Sequence, residues 1–315
     1  MSTITASMVK ELRETSGVGM MDCKKALQET DGDMEAAIDW LRKKGLSKAA
    51  KKADRVAAEG LVGIAGDTSR AAVVEVNAET DFVARNDTFQ TMVLDVAGLA
   101  LEADGDRAKL LAMDYPGAGH NVETHVTELV ASIGENMSVR RTATMQANDG
   151  VIGTYVHNKV ADNLGKIGVM VHVRSDGDKA KLADFARQLA MHIAAAAPLA
   201  LTADDLDKDV IERERAVYTE QAKATGKPEA IIEKMVEGRL RKEFFQTAVL
   251  TQQTAMMPSF SDGNETVEQA AKAAEKEIGG AITIAAFERF ALGEGVDKGE
   301  SDFAAEVAAA AGGKG

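Results

Sequence analysis

An internal repeat restricts this chain to a fold built from two copies of one unit. The segment Gly-Leu-Val-Gly-Ile at residues 60–64 resembles Gly-Val-Ile-Gly-Thr at residues 150–154. The run from Val74 to Asp81 resembles the run from Val169 to Asp176, at an offset of 95 residues (81 to 176) instead of 90 (60 to 150). The five extra residues fit a longer hairpin loop in the second copy. We therefore predict two related halves.

Each copy continues from its strands into a helical pattern and later reaches a further strand. Apolar residues at helical spacing are Phe89, Val93, Val96, Ala97 and Ala100 in the first copy, and Phe185, Leu189, Ile193 and Ala197 in the second. The late strand-like runs cover residues 139–145 and 282–290. The predicted fold class is α+β, with two related subdomains, each a three-stranded antiparallel sheet with helices.

Helical patterns precede and interrupt this core. Three short amphipathic patterns predict a three-helix module at residues 1–45, followed by a basic linker at 46–57. The core subdomains are predicted at 58–147 and 148–291, and a C-terminal module with a short helix at 292–315. A coiled-coil hairpin at about 204–244 interrupts the second subdomain, because Gly226 and Pro228 suit the turn between two antiparallel helices. The pattern leaves open whether this hairpin protrudes or lies flat.

The charge balance disfavours nucleic acid as the main ligand. The sequence has 37 basic and 50 acidic residues and a formal net charge of −13, whereas phosphate binding needs a basic field. Seven Lys/Arg residues lie between Arg42 and Arg55 beside a single acid, Asp54. We interpret this segment as a solvated, helix-prone linker, because it lacks interleaved aromatic side chains that would stack on bases. The alternative interpretation is that residues 42–55 form an RNA-binding module.

Cysteine content and hydropathy indicate a cytoplasmic protein. Cys23 is the single cysteine, so the chain has no intrachain disulfide and fits a reducing compartment. No apolar run approaches the length that spans a bilayer, and the first residues lack the pattern of a secretory signal. We expect a soluble protein that does not bind membranes.

The sequence contains no catalytic or phosphate-binding motif, so we expect no enzyme activity, no cofactor and no metal site. It lacks a P-loop, a G-x-S-x-G elbow and an H-E-x-x-H pair. The histidines, none at a familiar metal-ligand spacing, are His120, His125, His157, His172 and His192. Patterns around His172 and His192 predict core imidazoles, and His157 at a strand end is a minor candidate for a partner contact.

The two copies differ where the second strand meets the helix. The first copy has Asp81-Phe82-Val83, and the second has Asp176-Gly177-Asp178, which is ordinary turn chemistry. Asp81 alone is most simply a helix or turn cap. Because the second copy has glycine where the first has Phe82, a functional role for this ring and a role in core packing are equally supported. A stiff strand would hold such a ring in place.

The sequence resembles the bacterial elongation factor Ts family, the nucleotide-exchange factors of elongation factor Tu. The resemblance covers nearly the whole chain. Its most specific segments are Gly17-Val18-Gly19-Met20-Met21-Asp22-Cys23-Lys24-Lys25-Ala26-Leu27, Thr80-Asp81-Phe82-Val83-Ala84-Arg85-Asn86, and Ile133-Gly134-Glu135-Asn136 with Val139-Arg140-Arg141. Further agreement lies in the turn at residues 226–228, at residues 235–239 and at residues 302–307. The stretch from Tyr115 to His125 and the glycine-rich end depart from the family pattern.

The resemblance implies a UBA-like N-terminal module and a function as guanine-nucleotide exchange factor. The partner is elongation factor Tu, GDP-bound and nucleotide-free, and the reaction is GDP release in translation elongation through a disturbed Mg²⁺/phosphate site. By position the family's Mg²⁺-dislocating segment falls on Thr80, Asp81, Phe82 and Val83. Partner contacts carried over in the same way are Met20, Met21, Lys24, Ile133, Gly134, His157, Phe303 and Val307. A homodimer or a complex of two chains with two partners stays open.

Overall fold

The computed structural model describes residues 4–16 and 19–297. The N-terminal helices are α1 (Ala6–Ser16), α2 (Met20–Glu29) and α3 (Met34–Ala50). The first half contains β1 (Glu59–Gly66), β2 (Arg70–Ala78), α4 (Asp87–Ala103), α5 (Arg107–Ala112), α6 (Val122–Ile133) and β3 (Met137–Gln146). The second half contains β4 (Val151–His157), β5 (Leu164–Gly165), β6 (Ile167–Arg174), α7 (Lys179–Ala196), α8 (Lys208–Lys223), α9 (Glu229–Arg239), α10 (Phe245–Ala248), α11 (Val267–Ile278) and β7 (Thr283–Ala291).

The predicted α+β class and the repeat are confirmed. Both sheets are antiparallel, with strand order β3-β2-β1-β5 in the first and β4-β6-β7 in the second. In each half two consecutive strands pair, a long helix follows, and a later strand joins the far side of the second strand. The unit β1, β2, α4, β3 therefore corresponds to β4, β6, α7, β7.

The first sheet has four strands instead of the predicted three. The longer loop of the second copy forms β5, which crosses to the first sheet and pairs with β1 through Val62 opposite Gly165 and Gly63 opposite Leu164. This short strand covers the edge of β1, which would otherwise present unpaired backbone groups. The extra residues of the second copy thus join the two halves.

The two sheets pack face to face through a shared core. Apolar side chains from both sheets form it: Val62, Ile64, Ala71, Val73, Ile152, Val156, Met170 and Phe290. From Ala71 to Ala78 every residue of β2 is buried, because one face meets the second sheet and the other meets α4. A continuous apolar run is the expected sequence of a strand that is covered on both faces.

A buried ionic cluster also links the halves. Glu75 in β2 is fully buried, and its carboxylate accepts hydrogen bonds from Arg140 Nη1 (3.0 Å), Arg141 Nε (2.5 Å) and the Gly293 N–H (2.8 Å). Burial alone raises the pKa of Glu75, but the Gly293 and Arg141 hydrogen bonds outweigh it and hold the pKa below the usual glutamate value. The ionised carboxylate therefore connects β2 and β3 to the residues after β7.

The long helices lie close to their sheets because small residues face them. A side-chain carbon on Gly63 would lie 3.0 Å from Val93 in α4. A carbon on Gly153 of β4 would lie only 2.3 Å from the Ala186 carbonyl carbon in α7. Glycine at residue 153 is therefore required for the approach of α7 to the second sheet.

Helix α3 is longer than the sequence pattern indicated. The three-helix module was expected to end at residue 45, but α3 continues to Ala50 and packs beside α6. Alanine and lysine favour helix, and the cost of one internal glycine is about 1 kcal/mol. Arg42 Nε also lies 3.7 Å from Glu128 Oε1 of α6. The predicted linker at 46–57 is thus partly helix.

The predicted hairpin region contains two helices in contact. Helices α8 and α9 pack together, and a π-helical segment, Leu240–Phe244, connects α9 to α10. Their apolar face joins a small core around Leu206, Val236 and Val249.

In the described part of the chain no helix combines the length and apolarity needed to cross a membrane. Most of the predicted C-terminal module, with Phe303 and Val307, lies outside the described residues.

Candidate protein-binding site

The predicted tip, residues 80–83, leaves the end of β2 and exposes one aromatic ring. Phe82 has 75% of its surface exposed, whereas the next two residues, Val83 and Ala84, are buried in the first core. These two begin a short 3₁₀ turn, Val83–Arg85. Asn86 then caps α4 by accepting hydrogen bonds from the Thr88 and Phe89 N–H groups. The ring is therefore presented to solvent by a segment anchored on both sides.

A glutamate from another part of the chain clamps the start of the tip. The Glu135 carboxylate accepts hydrogen bonds from Thr80 N (3.0 Å) and Thr80 Oγ1 (2.8 Å). The neighbouring Glu79 Oε1 accepts a hydrogen bond from the Asn136 N–H at 2.5 Å. These reciprocal contacts fix the tip against the turn at residues 134–136, which connects α6 to β3.

The basic linker supports the same turn from the other side. Lys52 Nζ donates to the Gly134 carbonyl oxygen, and Asn136 Nδ2 donates to the Arg55 carbonyl oxygen at 2.7 Å. Arg55 Nη1 also lies 3.5 Å from Glu79 Oε1. Linker, turn and tip are thus connected by polar contacts that leave the Phe82 ring outside.

Asp81 is not a helix cap, contrary to the simplest interpretation of the sequence. Its Oδ2 pairs with Arg85 Nη2 at 3.1 Å, and both side chains are largely exposed. Asn86 provides the cap instead. Because Glu79 and Asp81 engage different partners, they do not form an acid–base pair. The Asp81 side chain is about half exposed.

Comparison with known proteins decides the family. The sequence profile described as Elongation factor TS matches residues 79–294, more than half of the chain. The chain belongs to the elongation factor Ts family. Elongation factor Ts of Parvibaculum lavamentivorans is 58% identical over 311 residues, covering 99% of this chain and 99% of the relative. Those of Bartonella henselae (58%) and Rhizobium meliloti (56%) align over 309 residues, covering 98% of this chain and 99% of each relative. The family is one of translation elongation factors.

The other predicted contacts fall into distinct places in this chain. Ile133 and Gly134 lie directly beside the tip, with Gly134 ending α6 at a φ of 94° and Ile133 packed against the first core. Met20 and Met21 are exposed on α2, and Lys24 is on the exposed side of the same helix. The opposite side of α2 buries Cys23.

His157 is exposed at the end of β4, and its Nδ1 lies 3.2 Å from Tyr155 Oη. Its carbonyl oxygen accepts a hydrogen bond from Lys166 N, and Lys166 Nζ pairs with Glu59 at 3.1 Å. Glu59 lies opposite Ala78, the last residue of β2 before the tip. His157 is therefore connected through Lys166 and Glu59 to the end of β2 from which the tip emerges.

The core histidines agree with the sequence prediction. His172 Nε2 lies 2.8 Å from the Asp149 carbonyl oxygen, and His192 Nε2 lies 2.9 Å from Gln253 Oε1. Burial lowers the pKa of His192, more strongly than the Gln253 hydrogen bond raises it. Both rings are satisfied structural groups.

Sequence reasoning did not assign the supports of the tip. In the sequence, Glu135 and Asn136 belong to a family-like segment, whereas Lys52 and Arg55 belong to the basic linker. Their partners are 24 to 82 positions away in sequence. No periodicity or spacing signals a contact of that range. The one local indication of such a support is Glu135 itself, a carboxylate that directly follows Gly134 at the end of α6.

Proposed function

We propose that this chain is the guanine-nucleotide exchange factor of elongation factor Tu and that Phe82 is its principal exchange residue. The proposal rests on the family and on one observation, the exposure of Phe82 on an anchored tip. A large aromatic ring held in one place loses little conformational freedom when it enters a pocket, so more of its burial energy contributes to binding. The proposed contact set includes Thr80, Asp81 and Val83 around the ring.

The proposed action of the ring is mechanical. Mg²⁺ requires near-ideal octahedral geometry, so a shift of about 1 Å in its surroundings weakens its hold on the GDP phosphates. Phe82 would wedge between elements of the partner beside this site, while Asp81 exchanges Arg85 for polar groups of the partner. The wider interface would include Met20, Met21 and Ile133.

Linkage fixes the direction of the effect. If the factor weakens GDP binding, GDP weakens factor binding by the same ratio. The factor then accelerates nucleotide release without changing the overall nucleotide equilibrium, and GTP binding expels it. No covalent step is involved, so the chain acts as a cytoplasmic binding protein and not as an enzyme.

The alternative, RNA binding through residues 42–55, has less support. Arg42, Lys44, Lys52 and Arg55 are occupied by Glu128, Asp22, Gly134 and Glu79 respectively. A basic face that serves RNA would hold its cations free for phosphates and lose affinity steeply with salt. Filter binding of RNA across a salt series separates the two functions.

The test is release of labelled GDP from purified elongation factor Tu, with and without this chain. Phe82→Ala should keep the fold, because the ring is exposed, and should lower stimulated release at limiting factor roughly 30-fold. That figure takes an interface anchor as worth about 2 kcal/mol and about 1.4 kcal/mol as a factor of ten. The control is Val217→Ala, another exposed apolar side chain, on α8.

Two results would contradict the proposal in different ways. Absence of stimulation by the unaltered chain would reject nucleotide exchange on this partner. Full stimulation by Phe82→Ala would retain exchange and reject the ring as its agent. Equal losses in Phe82→Ala and Val217→Ala would assign the effect to general surface changes.

A further inference from the structure

Three potential metal ligands meet beside α6. His120 lies in the loop before α6, and His125 and Glu128 lie on α6 itself. One donor atom from each side chain lies within 4.8 Å of the other two. His125 and Glu128 are three residues apart and share one helix face, the spacing by which helices in metal proteins present a histidine and a carboxylate together.

The distances suit a tetrahedral ion. Zn²⁺ binds imidazole nitrogen and carboxylate oxygen at about 2.0–2.2 Å, so two tetrahedral ligand atoms stand about 3.3–3.5 Å apart. His120 Nε2 lies 3.3 Å from His125 Nδ1 and 3.6 Å from Glu128 Oε2. One ligand pair therefore already has the required spacing, and a second pair, at 3.6 Å, is slightly wider. The ligand atoms of the third pair, His125 and Glu128, lie within 4.8 Å of each other, and the Glu128 side chain is half-exposed.

The surroundings hold both rings in place. The Tyr115 ring stacks on His125 with centroids 3.6 Å apart, and Tyr115 Oη donates to Asp95 at 2.6 Å. The loop that carries His120 is closed by the hydrogen bond from Tyr115 N to the His120 carbonyl oxygen at 2.8 Å. The ligands are therefore positioned by contacts that metal binding would not break.

The site is accessible and borders the N-terminal module. A pocket of about 210 Å³ is lined by His120, Thr124 and Glu128 of the core and by Arg42 of α3. Arg42 pairs with Glu128 Oε1, whereas the oxygen nearer His120 is Oε2. An ion and Arg42 would therefore draw on different oxygens of the same carboxylate.

We propose that His120, His125 and Glu128 bind one divalent transition-metal ion of the Zn²⁺ type, with water as the fourth ligand. Imidazole and carboxylate together suit Zn²⁺ better than Mg²⁺ or Ca²⁺, which prefer oxygen ligands alone. The bound ion fixes the loop of His120 on α6. It also shares the Glu128 charge with Arg42, and this weakens the ion pair between α3 and α6.

The experiment is calorimetric titration of the chelator-treated, tag-free full chain with Zn²⁺, with Co²⁺ absorption as a reporter of tetrahedral ligation. We expect one ion per chain and a rise in Tm with Zn²⁺ concentration. His120→Gln and Glu128→Gln should each weaken binding at least about tenfold. The control His157→Gln removes an exposed histidine elsewhere and should bind as the unaltered chain does.

Other outcomes overturn the site. If Zn²⁺ uptake does not saturate near one ion, or if it is equal in the two ligand variants and the control, the three side chains are not ligands. The imidazole contact is then an ordinary hydrogen bond between rings. Circular dichroism verifies folding, and Glu128→Gln alone decides if His120→Gln does not fold, because Glu128 is near the surface.

Discussion

The clamp between Thr80 and Glu135 should determine how well the tip works. Glu135→Ala removes the acceptor of two hydrogen bonds, one from the Thr80 backbone and one from its hydroxyl. A hydrogen bond to a charged group contributes about 1.5–3 kcal/mol net. Because these groups are half-buried, water replaces part of the lost hydrogen bonding. We therefore expect the loss of both hydrogen bonds together to cost about 1.5–3 kcal/mol.

This free energy acts on the tip and not on the global fold. Val83 and Ala84 remain packed in the first core, so residues 79–82 gain alternative conformations while α4 stays in place. If only a fraction of molecules presents Phe82 correctly, the apparent affinity falls by that fraction. The concentration of factor that gives half-maximal GDP release should therefore rise by up to roughly 10- to 100-fold, with little change in the rate at saturation.

The assay is a titration of labelled-GDP release from elongation factor Tu with the variant. Glu135→Gln keeps a neutral acceptor and should fall between Glu135→Ala and the unaltered chain. Glu123→Ala, an exposed carboxylate in the first turn of α6, is the control. A half-maximal concentration for Glu135→Ala equal to that of the control would show that the tip does not need this clamp. An equally large loss of global stability would assign Glu135 to folding.

Two further predictions concern the contact between the halves and their helices. Glu75→Gln should lower the free energy of unfolding by about 3 kcal/mol, the lower end for breaking a buried pair, because Arg140 and Arg141 keep about 30% exposure and rehydrate. Because the folded pKa of Glu75 is depressed, its stabilising contribution is complete above the unfolded pKa of about 4.3 and is lost as the pH falls through the folded pKa. The free energies of urea unfolding of the unaltered chain and of Glu75→Gln should therefore converge in acid. Free energies that stay apart at low pH would contradict this. Gly153→Ala should cost roughly 1–3 kcal/mol by overpacking against the α7 backbone. Gly98→Ala in α4, with open space around it, should cost nothing or stabilise slightly; equal effects in denaturant melts would refute the packing argument.

The sequence predicted the elements whose pattern depends on residues close together in the chain. The repeat and the change from strand to helix periodicity gave the order of β1, β2 and α4 and of β4, β6 and α7, because burial of one face imposes those periods. The same reasoning was less reliable on the hairpin. Helical spacing groups Val217 and Ile231 with the other apolar residues of the hairpin, yet both are substantially exposed. A narrow stripe on a two-helix hairpin leaves room for apolar residues outside it.

Long-range contacts were beyond the sequence. Nothing in the two-residue strand β5 indicates that it pairs with the other half, because its partner is determined by the edge that β1 leaves open. The grouping of His120 with His125 and Glu128 depends on the turn of the loop before α6. His125 precedes Glu128 by three residues, but that spacing alone did not single out the pair, and the third proposed ligand, His120, was not identifiable from spacing.

The contrast between the two copies at residues 82 and 177 has a physical cause that the sequence comparison did not contain. A side-chain carbon on Gly177 would lie 2.4 Å from the Ile278 carbonyl oxygen, so the end of α11 covers this turn and excludes any larger residue. Glycine in the second copy is thus a packing requirement and is not by itself evidence about Phe82. In the first half the equivalent turn is open, and Phe82 forgoes about 2 kcal/mol of burial while its neighbours are fixed. A residue that binds a partner needs an exposed side chain on a backbone that its neighbours hold rigidly. In the structure Phe82 of the first copy has both properties.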